Sequence, residues 1–328
     1  MVTTIADRLR LAPEVAAALR PSSDGGRPVV ALESTLISHG LPYPDNVAVA
    51  RASEAAVRAS GAVPATIAIH AGRILVGLSA AELETLATAP AGSVAKAARP
   101  NLAAALHGNG WAATTVSATM IAAAAAGIQV FATGGIGGVH RGALGGSDPA
   151  PGSAAAAPAP TLDISADLEE LARTPVVVVC AGPKAILDLP LTLEYLETRG
   201  VPVVALGQRE VPGFYSRESG RLAPWSVPDV AAAAGLVRTH LRLGLGSSML
   251  VCVPIPEAAA LPLDVARAAI DQALAEADAA GLRGPALTPW LLARIGVLTD
   301  GASIRANTAL IEHNAGVAGQ LAVLLWPR

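Results

Sequence analysis

The five residues from Val176 to Cys180 form an unbroken apolar run, which Pro175 introduces and a turn at Ala181–Pro183 follows. A strand that is apolar at every position is typical of a sheet that is covered on both faces. Lys184 comes directly after the turn. Ligands bind at the carboxyl ends of the strands in open α/β sheets. The run therefore predicts a covered sheet, and it makes Lys184 the first candidate for chemistry.

Lys184 has two interpretations. Its neighbours Pro183, Ala185 and Ile186 are apolar, so few groups would solvate an ammonium. Burial would then favour the neutral amine, which is the nucleophilic form. The alternative is a surface lysine in the first turn of the following helix, and position alone favours this second interpretation.

Apolar runs and amphipathic segments alternate along the chain, which is typical of a layered α/β domain. No repeat or linker divides the chain, so we predict a single domain over residues 1–328. Its fold class is a three-layer α/β/α arrangement with a central, mostly parallel or mixed sheet. The main predicted strands are 28–32, 64–70, 73–77, 114–116, 128–132, 176–180, 201–206 and 249–253, and the main predicted helices are 3–20, 46–60, 79–87, 102–108, 117–126, 191–198, 227–243, 263–280, 288–299 and 303–325.

The charge content excludes several classes of protein. Charged residues make up 15% and hydrophobic residues 52%, so some surface is expected to lie against partner subunits. A net charge of -3 gives no electrostatic case for nucleic-acid binding. The uncharged stretch 114–133 is divided by Gly127 into a helix and a strand, so it predicts no membrane span. The amino terminus has no apolar signal region, and Cys180 and Cys252 form no CxxC pair, so we expect a cytoplasmic protein with reduced core thiols.

Two acidic features stand at predicted element ends. Glu33 follows the strand 28–32, where a carboxylate suits general acid–base work, although such glutamates often only solvate a loop or cap a helix. Asp163 and Asp167 lie four residues apart at the start of a helix. Their spacing favours capping and dipole compensation, and the alternative is a carboxylate–water site for Mg²⁺ or Mn²⁺.

A glycine loop from Gly134 to Gly138 could wrap backbone N–H groups around an anion, but it lacks the GxGxxG spacing of a dinucleotide site. His140 and Arg141 beside it would suit a phosphate, or they form an ordinary surface pair. Asn307 and Asn314 lie seven residues apart and hence on one helical face. Hydrogen bonding to neighbouring loops is the usual role of such asparagines.

Several segments together resemble the pseudouridine-5'-phosphate glycosidases, a family that includes an indigoidine-cluster protein. The resemblance runs from about residue 28 to about residue 320. It is carried by ALESTLISHGLPYP (31–44), GAVPATIA (61–68), FATGGIGGVHRG (131–142), DISADL (163–168) and TLEYLET (192–198).

The resemblance implies a metal-dependent enzyme that forms a lysine Schiff base and is a homotrimer. It implies cleavage of pseudouridine 5'-phosphate to uracil and ribose 5-phosphate, reversibly, with Glu33 as proton donor and Lys184 as nucleophile. Asp163 would hold one Mn²⁺ per subunit. The substrate-binding positions that it implies are Lys96, Val116, His140, Ser165, Ala166, Asp167 and Asn307.

The chain departs from the family pattern in three places. Residues 145–160 are rich in Ala, Pro and Gly and predict a flexible loop insertion. Pro183 precedes Lys184 where a small residue is more usual, and Pro100–Asn101 stand where a charged pair is expected. None of these changes removes a reactive group.

The chemistry explains why an amine and an acid are needed together. The ribose of pseudouridine is joined to uracil by a carbon–carbon bond, so protonation at nitrogen cannot release the base. Attack by an amine at C1' opens the ribose ring, and protonation of uracil C5 lets the C1'–C5 bond break. Two other functions remain open: a Schiff-base aldolase acting on sugar phosphates, and a sugar-phosphate binder without activity.

Overall fold

The computed structural model describes residues 4–145, 160–282 and 287–326. Within these ranges eleven strands form one sheet, and two short strands pair separately. The strands are β1 (Leu9–Leu11), β2 (Val29–Leu32), β3 (Val63–His70), β4 (Arg73–Val76), β5 (Ala95–Ala97), β6 (Trp111–Thr114), β7 (Val130–Ala132), β8 (Val139–His140), β9 (Val177–Cys180), β10 (Leu187–Asp188), β11 (Val203–Leu206), β12 (Trp225–Val227) and β13 (Leu250–Cys252).

Twelve α-helices accompany these strands in the described part of the chain. They are α1 (Pro13–Ala18), α2 (Thr35–His39), α3 (Asp45–Ala59), α4 (Ala80–Ala87), α5 (Leu102–His107), α6 (Val116–Ala125), α7 (Ala166–Leu171), α8 (Leu189–Thr198), α9 (Val230–Leu243), α10 (Leu263–Ala279), α11 (Leu287–Leu298) and α12 (Ala302–Leu325).

The large sheet is mixed, with a parallel centre. Its order is β1-β4-β3-β2-β7-β9-β13-β11-β12, and the seven strands from β3 to β12 are parallel to one another. Both β4 and β6 pair with β3 in the antiparallel sense, and β5 extends this side by pairing with β6. The predicted fold class, with a mostly parallel or mixed central sheet, is therefore confirmed.

Neighbouring residues of the central strands point to opposite, buried faces. In β9, Val178 and Cys180 pack into one apolar cluster, whereas Val177 and Val179 pack into another. Helices α1, α6, α7 and α8 cover the first face, and α3, α9 and α12 cover the second. Burial on both faces explains why these strands are apolar at every position.

A third cluster lies beyond the carboxyl ends of the strands. Helices α10, α11 and the first half of α12 pack there against Ala181, Ile186 and the Phe214–Tyr215 segment. This packing places helical structure above the edge of the sheet where the predicted site residues emerge, and so it shields that edge from solvent.

Three sequence predictions were wrong. Residues 3–20 do not form one helix, because Leu9–Leu11 pairs with Ile74–Val76 and Pro13 begins the short α1. Val116 begins α6 rather than ending a strand. The helix predicted from Val227 begins only at Val230, and Val227 is instead the last residue of β12.

Two further predictions concern segments of special composition. In the described part of the chain, no helix is both long and apolar enough to cross a bilayer. Of the predicted insertion at 145–160, residues 146–159 lie outside the described residues.

Candidate active site

Three adjacent parallel strands bring the central groups together. Glu33 follows β2, Thr133 follows β7, and Lys184 follows β9 after a three-residue turn. Because the carboxyl ends of parallel strands lie at one edge, Glu33 and Lys184 stand on either side of Thr133. Sequence reasoning placed each group at a strand end but could not place β7 between them.

Glu33 is held in a largely apolar environment. It is 9% exposed, and Thr133 Oγ1 donates a short hydrogen bond to its Oε1. Burial raises the pKa of Glu33 above the usual value, and the charge of Lys184 and the Thr133 hydrogen bond partly oppose this shift. A void of only about 10 Å³ adjoins the carboxylate and is lined mainly by apolar side chains, so the surroundings favour a protonated carboxyl.

The segment after Glu33 is fixed to the end of β6. Ser34 Oγ accepts a hydrogen bond from the Thr114 N–H at 2.9 Å, and Thr35 Oγ1 donates to the Thr114 carbonyl at 2.7 Å. These contacts hold the backbone on which Glu33 sits. They also join it to the strand that leads into α6.

Lys184 is positioned by the glycine loop. Its N–H donates to the Ile136 carbonyl at 3.1 Å, and the Ile136 N–H donates to the Gly182 carbonyl at 3.2 Å. Ile136 thus forms a parallel bridge with Pro183. Such a bridge uses the carbonyl before Pro183 and the N–H after it, so the missing N–H of Pro183 costs nothing here. The departure at Pro183 is therefore compatible with the local structure.

Lys96 reaches the same site from β5. It is half-buried, and burial and the charge of Lys184 lower its pKa, while Glu33 and Asp167 act in the opposite direction. Asn101 Nδ2 donates to the Lys96 carbonyl at 2.8 Å, and its Oδ1 accepts from the Ala98 N–H. The Asn101 that departs from the family pattern therefore supports the segment that carries Lys96.

Lys96 and Lys184 are the only two lysines among the 328 residues, against 21 arginines. Arginine cannot supply a neutral amine, whereas a partly buried lysine can. This restriction of lysine to two positions is a signal that the sequence analysis missed. It sets both residues apart from the cations of the surface.

His39 is a further member of the site that sequence reasoning missed. It ends the short α2, which follows Glu33, and burial and the charge of Lys96 lower its pKa. Its Nδ1 lies 2.9 Å from Ser38 Oγ. The only signal in the sequence was its place six residues after Glu33.

Asp167 connects three parts of the site. Its Oδ1 accepts from the Ser117 N–H at 3.0 Å, and its Oδ2 accepts from the Gly137 N–H at 3.0 Å. Ser165 is the N-cap of α7, which begins at Ala166. The capping interpretation of Asp163 was therefore wrong, because Ser165 takes that position.

Helix α7 is held by an ion pair between the buried Glu170 and the partly exposed Arg99. Glu170 has no exposed side-chain surface and accepts hydrogen bonds from Arg99 and from Thr174 Oγ1. The Arg99 N–H in turn donates to Ser117 Oγ at 3.1 Å. The pair links α7 to the start of α6 and to the segment after Lys96.

The glycine loop is bonded to three neighbouring segments of the protein. The N–H groups of Ile136, Gly137 and Val139 donate to Gly182, Asp167 and Thr192 respectively. A Cβ on Gly137 would lie 2.2 Å from Ser165 Oγ, so only glycine allows this approach. The anion cradle over Gly134–Gly138 therefore stays a prediction, and the Ile136 and Gly137 amides are the two of that loop that already have protein partners.

Asp163 and His140 form the outer part of the site. The Asp163 side chain is 44% exposed, and its Oδ2 lies 3.9 Å from His140 Nδ1. Burial lowers the pKa of His140, and the Asp163 charge opposes this effect. Backbone bonds join the two, since the His140 N–H donates to the Asp163 carbonyl at 3.0 Å.

The donor set at Asp163 fits a hard cation that keeps most of its water ligands. Within the described ranges, no group of three or more His, Cys, Asp and Glu side chains could hold a metal ion. An accessible carboxylate next to an imidazole offers one or two ligands, which is enough for Mg²⁺ or Mn²⁺ but not for a closed zinc site.

The remaining predicted residues are less directly connected. Val116 is buried in the core at the first position of α6, so only its backbone can face a ligand. Asn307 is half-buried on α12. Two turns further along α12, Asn314 Nδ2 donates to the Thr133 and Gly134 carbonyls at 2.9 and 3.3 Å. Asn314 thus contacts the site through the loop, as expected of asparagines on a packed helix.

A cleft of about 390 Å³ adjoins Lys184 and shares no lining residue with the void beside Glu33. Arg141, Arg221 and Arg267 line it with Lys184, whereas Asp188 is the one acid among its described lining residues. Arg141 also pairs with Asp271 at 2.8 Å. A ligand that enters this cleft would therefore pass cationic side chains before it reaches Lys184.

The sheet edge therefore carries two amines, a buried carboxyl and an outer carboxylate, a combination typical of enzymes that act on carbonyl or sugar-phosphate substrates. Residues 14–324 match the model of the family described as indigoidine synthase A like protein, and the chain belongs to that family.

Two curated relatives show the extent of the similarity. The chain is 54% identical over 321 residues to a pseudouridine-5'-phosphate glycosidase of Methylobacterium nodulans, covering 97% of this chain and 88% of that protein. It is 52% identical over 317 residues to a protein of the same name from Solibacter usitatus. The match covers 97% of this chain and 99% of that protein.

Two solved structures share the fold. The prealnumycin C-glycosynthase AlnA, in complex with ribulose 5-phosphate, is 37% identical with a TM-score of 0.82, over 97% of this chain and 96% of that one. An indigoidine synthase A-like protein from Thermotoga maritima is 30% identical with a TM-score of 0.81, over 97% of both chains.

Proposed function

We propose that this protein cleaves the carbon–carbon glycosidic bond of pseudouridine 5'-phosphate, reversibly, to give uracil and ribose 5-phosphate. The observation that carries the proposal is the placement of Glu33 and Lys184 on either side of β7, with Glu33 buried and its pKa raised. The names of the curated relatives and the sugar phosphate bound to AlnA support the same substrate class.

Lys184 is the proposed nucleophile. Its neutral amine forms a bond to C1' while the C1'–O4' bond breaks, and O4' takes the proton that the nitrogen releases. The nitrogen lone pair then forms the C=N bond as the C1'–C5 bond breaks. Water hydrolyses the resulting iminium, which releases ribose 5-phosphate and restores the lysine.

Glu33 is the proposed acid for the bond-breaking step. The departing uracil carbon C5 must receive a proton, and a carboxyl that is still protonated near neutral pH can deliver it. The raised pKa of Glu33 favours the protonated form that this step requires. In the reverse direction the carboxylate would remove the same proton.

Asp163 would hold one Mn²⁺ per subunit, with His140 beside it. When bound, such an ion supplies positive charge that stabilises anionic groups on the substrate. Lys96, the backbone of Val116 and the Ser165–Asp167 turn would bind the ribose phosphate, and Asn307 would contribute from α12. The proposed assembly is a homotrimer, the proposed compartment is the cytoplasm, and neither nucleic acid nor membrane is proposed as a partner.

The first test is release of uracil from pseudouridine 5'-phosphate, followed by ultraviolet absorbance and chromatography. Release of uracil with equimolar ribose 5-phosphate supports the proposal. A Schiff-base aldolase would instead cleave a sugar phosphate and leave the nucleotide intact, and an inactive binder would bind ribose 5-phosphate without turnover.

The covalent step is tested by borohydride reduction in the presence of ribose 5-phosphate. A lysine-specific protease cuts this chain only after Lys96 and Lys184. A reduced adduct on Lys184 should therefore leave residues 97–328 as one uncut fragment. An adduct on Lys96, or normal cleavage at both lysines, would contradict the assignment.

The phosphate requirement tests the binding residues. Free pseudouridine should be cleaved at least about tenfold more slowly, because each lost charge-assisted hydrogen bond is worth about 1.5–3 kcal/mol. In Lys96→Ala the difference in kcat/KM between the nucleotide and the free nucleoside should be smaller. Equal kcat/KM for the nucleoside and the nucleotide would show that no phosphate site is present.

A further inference from the structure

The hydrogen bond between Thr133 and Glu33 determines which carboxyl oxygen is free. Thr133 Oγ1 donates to Glu33 Oε1, and this hydroxyl has no other acceptor among the described residues. The other hydroxyls near the Glu33 void are committed elsewhere, since Ser53 Oγ donates to Val49 and Thr66 Oγ1 to Glu54. Oε1 is therefore an acceptor, and a proton on this carboxyl belongs on Oε2.

Thr133 is itself fixed through its backbone. Its N–H donates to the Val179 carbonyl of β9 at 3.0 Å, and its carbonyl accepts from Asn314 Nδ2 at 2.9 Å. These two bonds hold the Thr133 backbone in place between the strands that lead to Glu33 and Lys184. Asn314 Oδ1 is buried and has no hydrogen-bond partner within the described ranges, so its amide acts here only as a donor.

We propose that Thr133 is a positioning residue that holds Glu33 through Oε1 and so makes Oε2 the oxygen that exchanges the proton with the substrate. This inference rests on the proposed function for its role in catalysis. After Oε2–H delivers its proton, the carboxylate forms a charge-assisted bond with the Thr133 hydroxyl. Thr133 therefore both orients the acid and stabilises its conjugate base.

The experiment is the pH dependence of kcat for Thr133→Val, which keeps the side-chain shape and removes the hydroxyl. The bond to Thr133 favours the ionised carboxyl, so its loss should raise the pKa of Glu33 further. In the pH profile of kcat, the fall in rate at alkaline pH reports loss of the Glu33 proton. In Thr133→Val this fall should move to a pH about one unit higher, and the maximal kcat should be about tenfold or more lower. KM should change little.

The other charges that act on Glu33 stay constant in this comparison. They are Lys184 and Lys96, which favour ionisation, and Asp167, which opposes it. Thr133→Ser restores a hydroxyl. In this variant the alkaline fall in kcat should occur at the wild-type pH, and most of the maximal kcat should be recovered. Thr119→Val is a matched control, because Thr119 is fully buried and donates to Thr114 Oγ1 rather than to Glu33. It should lower thermal stability without shifting the alkaline fall in kcat.

A second measurement does not depend on activity. Infrared titration of the protonated carboxyl band, identified by its loss in Glu33→Gln, should give a higher midpoint for Thr133→Val than for the wild type. If the wild type cleaves no pseudouridine 5'-phosphate, the proposed function fails while this titration still tests the contact. An unchanged midpoint, or an alkaline fall in kcat at the wild-type pH in an active Thr133→Val, would overturn the proposal.

Discussion

Two carboxylates of the site, Glu33 and Asp163, are held in opposite ways. Glu33 is 9% exposed and bonded to Thr133 at the end of a central strand, whereas the Asp163 side chain is 44% exposed and lies 3.9 Å from His140. We call the first group, Glu33 with Thr133 and Lys184, the inner half, and Asp163 with His140 and Arg141 the outer half. Hydrogen bonds within the fold hold the Glu33 carboxyl and the Lys184 backbone of the inner half. The outer half is open to solvent at Asp163, and our hypothesis is that the inner half carries the chemistry and the outer half the binding.

The largest expected effect is at Lys184. Lys184→Arg keeps a positive charge but has no neutral amine, so kcat should fall by about 10⁴-fold or more, as for loss of a nucleophile. Uracil release under single-turnover conditions is the measurement. Lys96→Arg is the matched control and should lose far less. Similar losses from both variants would show that the inner half does not carry the chemistry alone.

Glu33→Gln should lower kcat about 10²–10⁴-fold with little change in KM, because the amide cannot give up a proton to uracil. The amide oxygen still accepts from Thr133, so the fold is kept. A loss confined to KM would place Glu33 in binding instead, and the division between the halves would fail.

The same Glu33→Gln variant should be more stable than the wild type at alkaline pH. The folded pKa of Glu33 lies above its ordinary value of 4.5, so the folded wild type holds an extra proton in that window. Stability then falls as pH rises from about 4.5 through the folded value, and the variant has no such proton to lose. Thermal unfolding at pH 4 and pH 9 measures this difference, which should be seen only at the higher pH.

Asp163→Asn tests the outer half. The Mn²⁺ concentration needed for half-maximal activity should rise about 10–100-fold, because the variant loses a charged oxygen ligand. Melting temperature in chelator should stay the same, since Asp163 is exposed and its side chain supports little structure. Asp264→Asn, an exposed acid on α10, is the control. Full wild-type activity in chelator would rule out the metal.

The smallest effect concerns the support beneath both halves. Arg99→Ala leaves the buried Glu170 without its cation and should cost about 2 kcal/mol of unfolding free energy. Arg173→Ala removes a surface partner of Glu169 and should cost about 0.5 kcal/mol or less. Denaturant unfolding compares the two. Equal losses would mean that α7 is held by packing rather than by this pair.

The sequence was sufficient to predict individual strands and the residues that follow their carboxyl ends. The apolar run ending at Cys180 identified a central strand and placed Lys184 at its carboxyl end, and the same reasoning placed Glu33. The order of the strands could not be read locally, because β7 enters between β2 and β9 from a distant part of the chain. Likewise, β1 finds its partner β4 more than 60 residues away, so local apolar periodicity misassigned it as helix.

Contacts between side chains and distant backbone groups also could not be predicted from the sequence. Asn314 bonds Thr133 across 181 positions, and Asp167 bonds Ser117 across 50. Neither contact leaves a periodic pattern, because the partner is a backbone group that every residue possesses. The family resemblance supplied roles for Asp163, Lys96 and Asn307 that residue spacing alone did not, and those roles stay predictions.

The strand order β2-β7-β9 also sets a length. Neighbouring strands lie about 4.8 Å apart, so the ends of β2 and β9, which lead to Glu33 and to the turn before Lys184, are separated by two such spacings, about 10 Å. Backbone hydrogen bonds maintain that gap, and no side-chain substitution can change it. The strand order therefore limits how far apart the acid and the amine can be, whatever side chains surround them.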